Sequence, residues 1–213
     1  MRRSYERGLL DESTVPSSWL DLFTAWFADA VAELTYTEAN AMQVATVEAD
    51  GRPAVRTVLA KGFGADGVVF YTNYDSAKGR ALSVNPYAAA VFAWVPLERQ
   101  VRISGPVTRV ERETTEAYFA SRPRGAQIGA WASPQSSVLE SRAALEDRQR
   151  EVEQRYGDGP IPAPEHWGGY RIAPEIVYTS RTAHNLIRDL MARERRREVP
   201  GLRELAIRTG VAA

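Results

Sequence analysis

Cysteine is absent from this 213-residue chain. That excludes disulfides, thiolate metal sites and a cysteine nucleophile. Histidine is nearly absent: His166 and His184 are the only two, too few for a histidine-rich metal centre, and no metal is expected. No apolar run approaches the roughly 20 residues that a membrane-spanning helix needs. The opening residues, MRRSYERGLLDES, are charged and have no apolar stretch behind them, unlike a secretory signal. Neither sign of charge is in excess, with 27 Lys and Arg against 27 Asp and Glu, so bulk electrostatics points to neither nucleic acid nor membrane as a partner. The simplest expectation is a cytoplasmic protein.

Lysine is scarce as well. Of the 27 basic residues only Lys61 and Lys78 are lysines. A bias toward arginine codons accounts for most of that imbalance but not for the two that remain. An ammonium is a compact point charge and a guanidinium a planar fork, so some sites accept only one of them. Both lysines are therefore candidates for function.

What is present reads as a soluble globular protein: 44% of residues are hydrophobic and 25% charged. The length suits one domain with a sizeable core, and residues 1–213 are read as a single unit. Apolar residues at Trp19, Leu22, Phe23, Trp26, Phe27, Ala30, Val31 and Leu34 follow the i, i+3, i+4 spacing of an amphipathic helix, with Ser17 or Ser18 as N-cap. AMQVATVE and PAVRTVLAK flank the turn ADGR and predict a hairpin. GVVFYTN is a third strand, and YDSAKGRALSVNP a short helix capped by Asp75 or Ser76. YAAAVFAWV and RQVRISGPVTRVE predict two or three more strands, and TTEAYFASRPR a helix ending at Pro123. SSVLESRAALEDRQREVEQRY predicts a long polar helix with Ser137 and Glu140 as a capping box. After a Pro- and Gly-rich loop, YRIAPEIV predicts a last strand and RTAHNLIRDLMARERRREVP a basic helix. Short, closely spaced strands with few helices between them argue for a mainly β, α+β fold built on an antiparallel barrel. Neither G-x-G-x-x-G nor a Walker A sequence is present.

Three segments place polar side chains where a core would not choose them. Arg56 and Lys61 lie five apart in VRTVLAK, so strand alternation points them to opposite faces. Thr72 and Ser76 sit near Lys78 at a strand-to-helix junction, where hydroxyls, a cation and free helix N–H groups suit a phosphate. Gln100 lies within an apolar strand. Together they predict a flat, phosphorylated, hydrogen-bonding ligand.

RTVLAKGF, VVFYTNYDSAKG, LERQVRISG, SRPRGAQIGAWASPQS and PEHWGGYRIAPE resemble, in order and with comparable gaps, the pyridoxamine 5′-phosphate oxidase family. RRSYERGLL is similar to that family's opening segment, so the likeness runs from about Arg2 to Val177. It implies an FMN-binding split β-barrel, a homodimer with active sites at the subunit interface, and oxidation of pyridoxamine or pyridoxine 5′-phosphate with oxygen as acceptor. For FMN it implies Arg56, Thr57, Val58, Leu59, Lys61, Tyr71, Thr72, Lys78, Gln100, Gln135 and Ser136. For the phosphorylated substrate it implies Lys61, Tyr118 and Arg122, with Arg2 and Tyr5 from an N-terminal arm over residues 1–16.

The tail, residues 178–213, departs from the family. Its pattern there is Trp-Gln-Gly-Arg and then Asn-Arg-Leu-His-Asp-Arg. Ser180 stands at the tryptophan, Leu186 at a substrate-site arginine, Arg188 at the histidine and Leu190 at a flavin-contacting arginine; Asn185 and Asp189 match. Ala126 replaces a serine of the phosphate grip and Ala77 a flavin-phosphate arginine. No catalytic residue is assigned, with Arg188 and His184 as the candidates; a shifted alignment brings His184 or Arg181 near the gap without restoring the spacing. Three readings stay open: an oxidase of the family's own substrate, a flavin enzyme of this fold with another biosynthetic substrate, and a non-catalytic flavin- or vitamin B6-phosphate-binding protein.

Overall fold

The computed structural model describes Pro16 and residues 18–183, 186–187 and 190–191. Helix α1 (Trp19–Glu33) starts at Ser18, whose hydroxyl accepts from the N–H groups of Leu20 and Asp21. The hairpin expected around ADGR is β1 (Ala41–Val47) with β2 (Pro53–Gly64). Strand β3 (Gly67–Asn73) leads into α2 (Ala77–Val84), capped by Ser76. Then come β4 (Tyr87–Trp94), β5 (Arg99–Arg109), α3 (Arg112–Ala120), α4 (Arg124–Ala132), α5 (Arg142–Tyr156), β6 (Trp167–Ile172) and β7 (Ile176–Ala183), followed by the two-residue strands β8 (Leu186–Ile187) and β9 (Leu190–Met191).

Strands β4, β1, β2, β3, β6 and β5 pair in that order, and β4 pairs back onto β5, closing an antiparallel barrel. Closure removes the exposed edges that an open sheet would leave. Alternate residues fill the interior: Met42 and Val44 from β1, Val68 and Phe70 from β3, Phe92 from β4, Val101 and Ile103 from β5 and Ile172 from β6. Helix α1 covers this core with its apolar stripe. Phe23 is fully buried and meets Phe63 and Phe92 edge-on, with ring centroids 4.8 and 4.9 Å apart. A second apolar cluster of Phe119, Ile128, Ile161, Ala163 and Trp167 ties α3 and α4 to the loop before β6.

The barrel forks twice. Residues 99–104 of β5 pair with β7, whereas 107–109 pair with β6. Gly105 sits at that fork, where a Cβ would lie 1.8 Å from the Ala173 carbonyl oxygen. Strand β2 forks in the same way: residues 53–59 pair with β1, and only from Ala60 onward does β3 join.

Several expectations are corrected. Helix α5 starts at Arg142, capped by Ser141, whose Oγ accepts from the Ala144 N–H at 3.1 Å; Ser137 and Glu140 lie in the preceding loop, which Pro134 and a positive φ of 67° at Ser136 keep out of helix. The helix predicted to run to Pro123 is α3, which ends at Ala120, and Pro123 is the N-cap of a further helix, α4, that the sequence pattern does not mark. YRIAPEIV is two strands, because the chain leaves β6 at Ile172 and enters β7 at Ile176. The basic helix expected from Arg181 is contradicted over 181–183, 186–187 and 190–191, which are strands; pairing with β5, Arg99 opposite Arg181, overrides helical propensity there.

Candidate functional site

Beyond the Ala60–Phe70 pair, β2 and β3 part company. Strand β2 stays with β1, and Tyr71, Thr72 and Asn73 of β3 pair with Gly169, Gly168 and Trp167 of β6. A cavity of about 670 Å3 opens at the divide. One wall is residues 56–59 and Lys61 of β2; the other is Tyr71–Asn73 with Ala77 and Lys78; Tyr118, Arg122, Ala126, Trp167 and the 129–136 segment complete it. Among the described residues, 53–59 have a strand partner on one side only, and alternate backbone groups of such an edge face outward as hydrogen-bonding partners for a ligand.

At one end a buried ammonium sits in a ring of oxygens. Lys78 is 7% exposed. Its Nζ donates to Thr72 Oγ1 at 3.0 Å, to Gln135 Oε1 at 3.1 Å and to Ser76 Oγ at 3.4 Å. The Thr72 hydroxyl donates to the same Gln135 oxygen at 2.9 Å. Burial lowers the Lys78 pKa to about 8, and the charge of Arg56 acts in the same direction. Arg56 is fixed to the barrel wall through Nη1, which donates to Val44 O at 3.1 Å and Thr46 Oγ1 at 2.8 Å; burial lowers its pKa against an opposing effect of Glu48. Neither cation makes an ion pair with a carboxylate among the described residues.

The other end is aromatic. Tyr71 stacks on Tyr118 with centroids 4.1 Å apart and on Trp167 at 5.3 Å. The Arg122 guanidinium lies 4.7 Å from the centre of the Trp167 ring, and its Nη1 is buried without a hydrogen-bond partner among the described residues. Burial holds the Tyr118 hydroxyl above and Arg122 below their ordinary pKa ranges.

Of the sequence candidates, Arg56, Thr57, Val58, Leu59, Lys61, Tyr71, Thr72, Lys78, Tyr118, Arg122, Gln135 and Ser136 all line this one cavity. Arg56 and Lys61 share it despite their odd spacing. Both faces of this edge of β2 reach the cavity, since Thr57 and Leu59 line it as well as Arg56 and Val58, and Lys61 sits at a bulge where pairing with β3 slips between Ala60 and Gly62. Gln100 is elsewhere, exposed on β5 between Ala93 and Ser180. His166 also lies outside the cavity, with Nε2 3.2 Å from Ala130 O. Arg2, Tyr5, His184, Asn185 and Arg188 lie outside the described residues. Trp167, Asn73, Gly129, Ala130 and Ser133 line the cavity without having been singled out. For Trp167 the sequence signal is its place in PEHWGGYRIAPE, one of the segments that carry the family resemblance.

A family model described as pyridoxamine 5′-phosphate oxidase matches residues 27–156. The pyridoxine/pyridoxamine 5′-phosphate oxidase of Saccharopolyspora erythraea is 52% identical over 178 residues, covering 83% of this chain and 80% of its own. The protein of the same name from Paraburkholderia phytofirmans is 49% identical over 177 residues, 83% of this chain and 82% of its own. Among solved structures, PhzG from Burkholderia lata in complex with tetrahydrophenazine-1-carboxylic acid aligns with a TM-score of 0.78 at 28% identity, over 86% of this chain and 91% of that one. A pyridoxamine 5′-phosphate oxidase-related FMN-binding protein from Nostoc punctiforme shares the fold, with a TM-score of 0.60 at 21% identity over 78% of this chain and 87% of its own.

Proposed function

The chain belongs to the pyridoxamine 5′-phosphate oxidase family, and from that membership we propose that it oxidises pyridoxamine or pyridoxine 5′-phosphate to pyridoxal 5′-phosphate, with FMN as cofactor and oxygen as final acceptor. One observation carries the reading: among the described residues the cavity is lined by Arg56, Lys61, Lys78 and Arg122 and by no aspartate or glutamate. Four cations around one cavity with no acid beside them suit ligands that bring their own negative charge, here two phosphates.

The residues present fit FMN. Lys78, Thr72 and Arg56 form the donor set for its phosphate. The open edge of Thr57, Val58 and Leu59, with Tyr71, Gln135 and Ser136, would hold its ribityl chain and ring. Bound there, FMN would supply a hydride acceptor and a route for the electrons to oxygen, released as hydrogen peroxide. Lys61, Tyr118 and Arg122 hold the substrate phosphate, which fixes the substrate at the end remote from its reacting C4′. From C4′ the substrate loses a hydride, and from its amine or hydroxyl a proton; the imine formed from the amine is hydrolysed by water to the aldehyde and ammonia. Because hydride transfer is steep in distance, this anchoring is the main contribution of these side chains.

Gln100 joins the site through a homodimer in this reading, supplied by the partner subunit; its exposure on β5, outside its own cavity, supports that arrangement. Sedimentation at micromolar concentration tests it, and a flavin-loaded monomer refutes it. The activity is tested by purifying the yellow protein, identifying released FMN, and adding pyridoxamine phosphate: oxygen consumption with formation of pyridoxal phosphate is expected. Flavin binding with no turnover of either phosphate favours a second reading, a different substrate on the same flavin site. Its support is the likeness to PhzG at a TM-score of 0.78 together with the departures at Ala77 and Ala126, both in the cavity wall.

A further inference from the structure

Thr46 occupies a position where the sequence pattern calls for a hydrocarbon. Alternate residues of β1 point inward, and Met42, Val44 and Thr46 are all buried, Thr46 at 1% exposure. Valine has nearly the same shape and strong β propensity. Burying a hydroxyl in its place costs stability unless a partner takes it up. That partner is Arg56, whose Nη1 donates to Thr46 Oγ1 at 2.8 Å and to Val44 O at 3.1 Å. Val44 and Arg56 are directly opposed across the β1–β2 pair, with Thr46 one inward position further along. The guanidinium therefore lies back along the barrel wall. Its Nε and Nη2 make no hydrogen bond to the described residues.

We infer that Thr46 is a positioning residue for anion binding: it holds the Arg56 fork so that the remaining N–H groups face the phosphate end of the cavity. A guanidinium recognises phosphate through a planar fork, so its orientation matters as much as its charge. Thr46 does not itself line the cavity. It acts entirely through Arg56, and the inference rests on the assignment of Arg56 to the flavin phosphate.

The test compares affinities of the purified apoprotein for FMN and for riboflavin, which lacks the phosphate, by quenching of flavin fluorescence. Thr46→Val should weaken FMN binding roughly tenfold, the scale of a hydrogen bond to a charged group, and leave riboflavin binding unchanged. Thr46→Ser keeps the hydroxyl and should restore most of the preference for FMN, even where loss of the methyl lowers the melting temperature. The inference is overturned if Thr46→Val leaves FMN affinity intact while Arg56→Met weakens it, or if both flavins lose affinity equally. If Arg56→Met does not weaken FMN binding either, the phosphate assignment itself has failed and the inference with it. Should the valine variant not fold, the serine variant decides: loss of FMN preference with the hydroxyl retained overturns the proposal.

Discussion

The ammonium of Lys78 reaches back across the corner between β3 and α2 to donate to Thr72 Oγ1 at 3.0 Å, a contact between residues six apart in sequence. Both side chains also meet Gln135, 57 positions beyond Lys78. A local turn and a distant loop thus converge on one cation. Replacing Lys78 by alanine should weaken FMN affinity by about 1.5–3 kcal/mol, the range for hydrogen bonds to charged groups. Fluorescence titration of the apoprotein measures it, and unchanged affinity would show that the phosphate lies elsewhere.

The lowered pKa of Lys78, about 8, gives FMN binding a pH dependence of definite sign. Below that value the ammonium is already charged and ready for a phosphate. Above it the free site has lost the proton, and binding must take one up, so affinity should fall as pH rises through about 8. Riboflavin should show no such fall, and neither should FMN with the Lys78→Ala protein. A flat FMN profile across this range contradicts the assignment.

Ala126 lines the cavity in the same wall as Arg122. Ala126→Ser adds a hydroxyl donor there. It should lower the KM for pyridoxamine phosphate by a few-fold, roughly the net worth of one hydrogen bond, with little change in kcat, because a phosphate contact is the same in ground and transition states. Steady-state kinetics with oxygen detection reports both constants, and an unaltered KM would mean the phosphate does not reach Ala126.

Phe23 is the largest fully buried side chain of α1 and contacts rings from both β2 and β4. Its truncation to alanine should cost about 3–5 kcal/mol of stability, the usual range for a buried phenylalanine. Urea unfolding of the apoprotein gives the value. A loss under about 1 kcal/mol would mean that α1 is not integral to the core.

The resemblance aligns Leu186 and Arg188 with an arginine and a histidine of the family pattern, which it implies meet the reacting end of the substrate. The pair of changes Leu186→Arg and Arg188→His should raise kcat for pyridoxamine phosphate more than it lowers KM, the signature of contacts made mainly in the transition state. Equal effects on both constants, or none, would place the reacting carbon away from these positions.

Much of this was readable from residue order, for identifiable reasons. The stripe Trp19–Leu22–Phe23–Trp26 is a long periodic signal, and α1 follows it. The Asp-Gly turn and its flanking alternation dictate β1 and β2. The lysine count singled out Lys61 and Lys78, and both line the cavity. What escaped was set by tertiary contacts. The bulge at Lys61 lies where β2 passes from β1 to β3 as its partner, a change no local pattern records. Ser137 and Ser141 are both good caps, and the positive φ of Ser136 decides between them. Pro123 serves equally well to stop a helix or to start one. Nothing local marks Thr46, whose link to Arg56 arises only from the β1–β2 register.

The fork at Ala60 has a kinetic consequence. One wall of the cavity belongs to a hairpin closed by a short turn, which pairs early and cheaply. The other depends on β3 finding β6, Val68 opposite Ile172 and Asn73 opposite Trp167, a closure across about a hundred residues that belongs among the slow steps of folding. A ligand held between Arg56 on the first wall and Lys78 on the second ties these two units together. Bound flavin should therefore act as a brake on unfolding, lengthening the lifetime of the closed barrel.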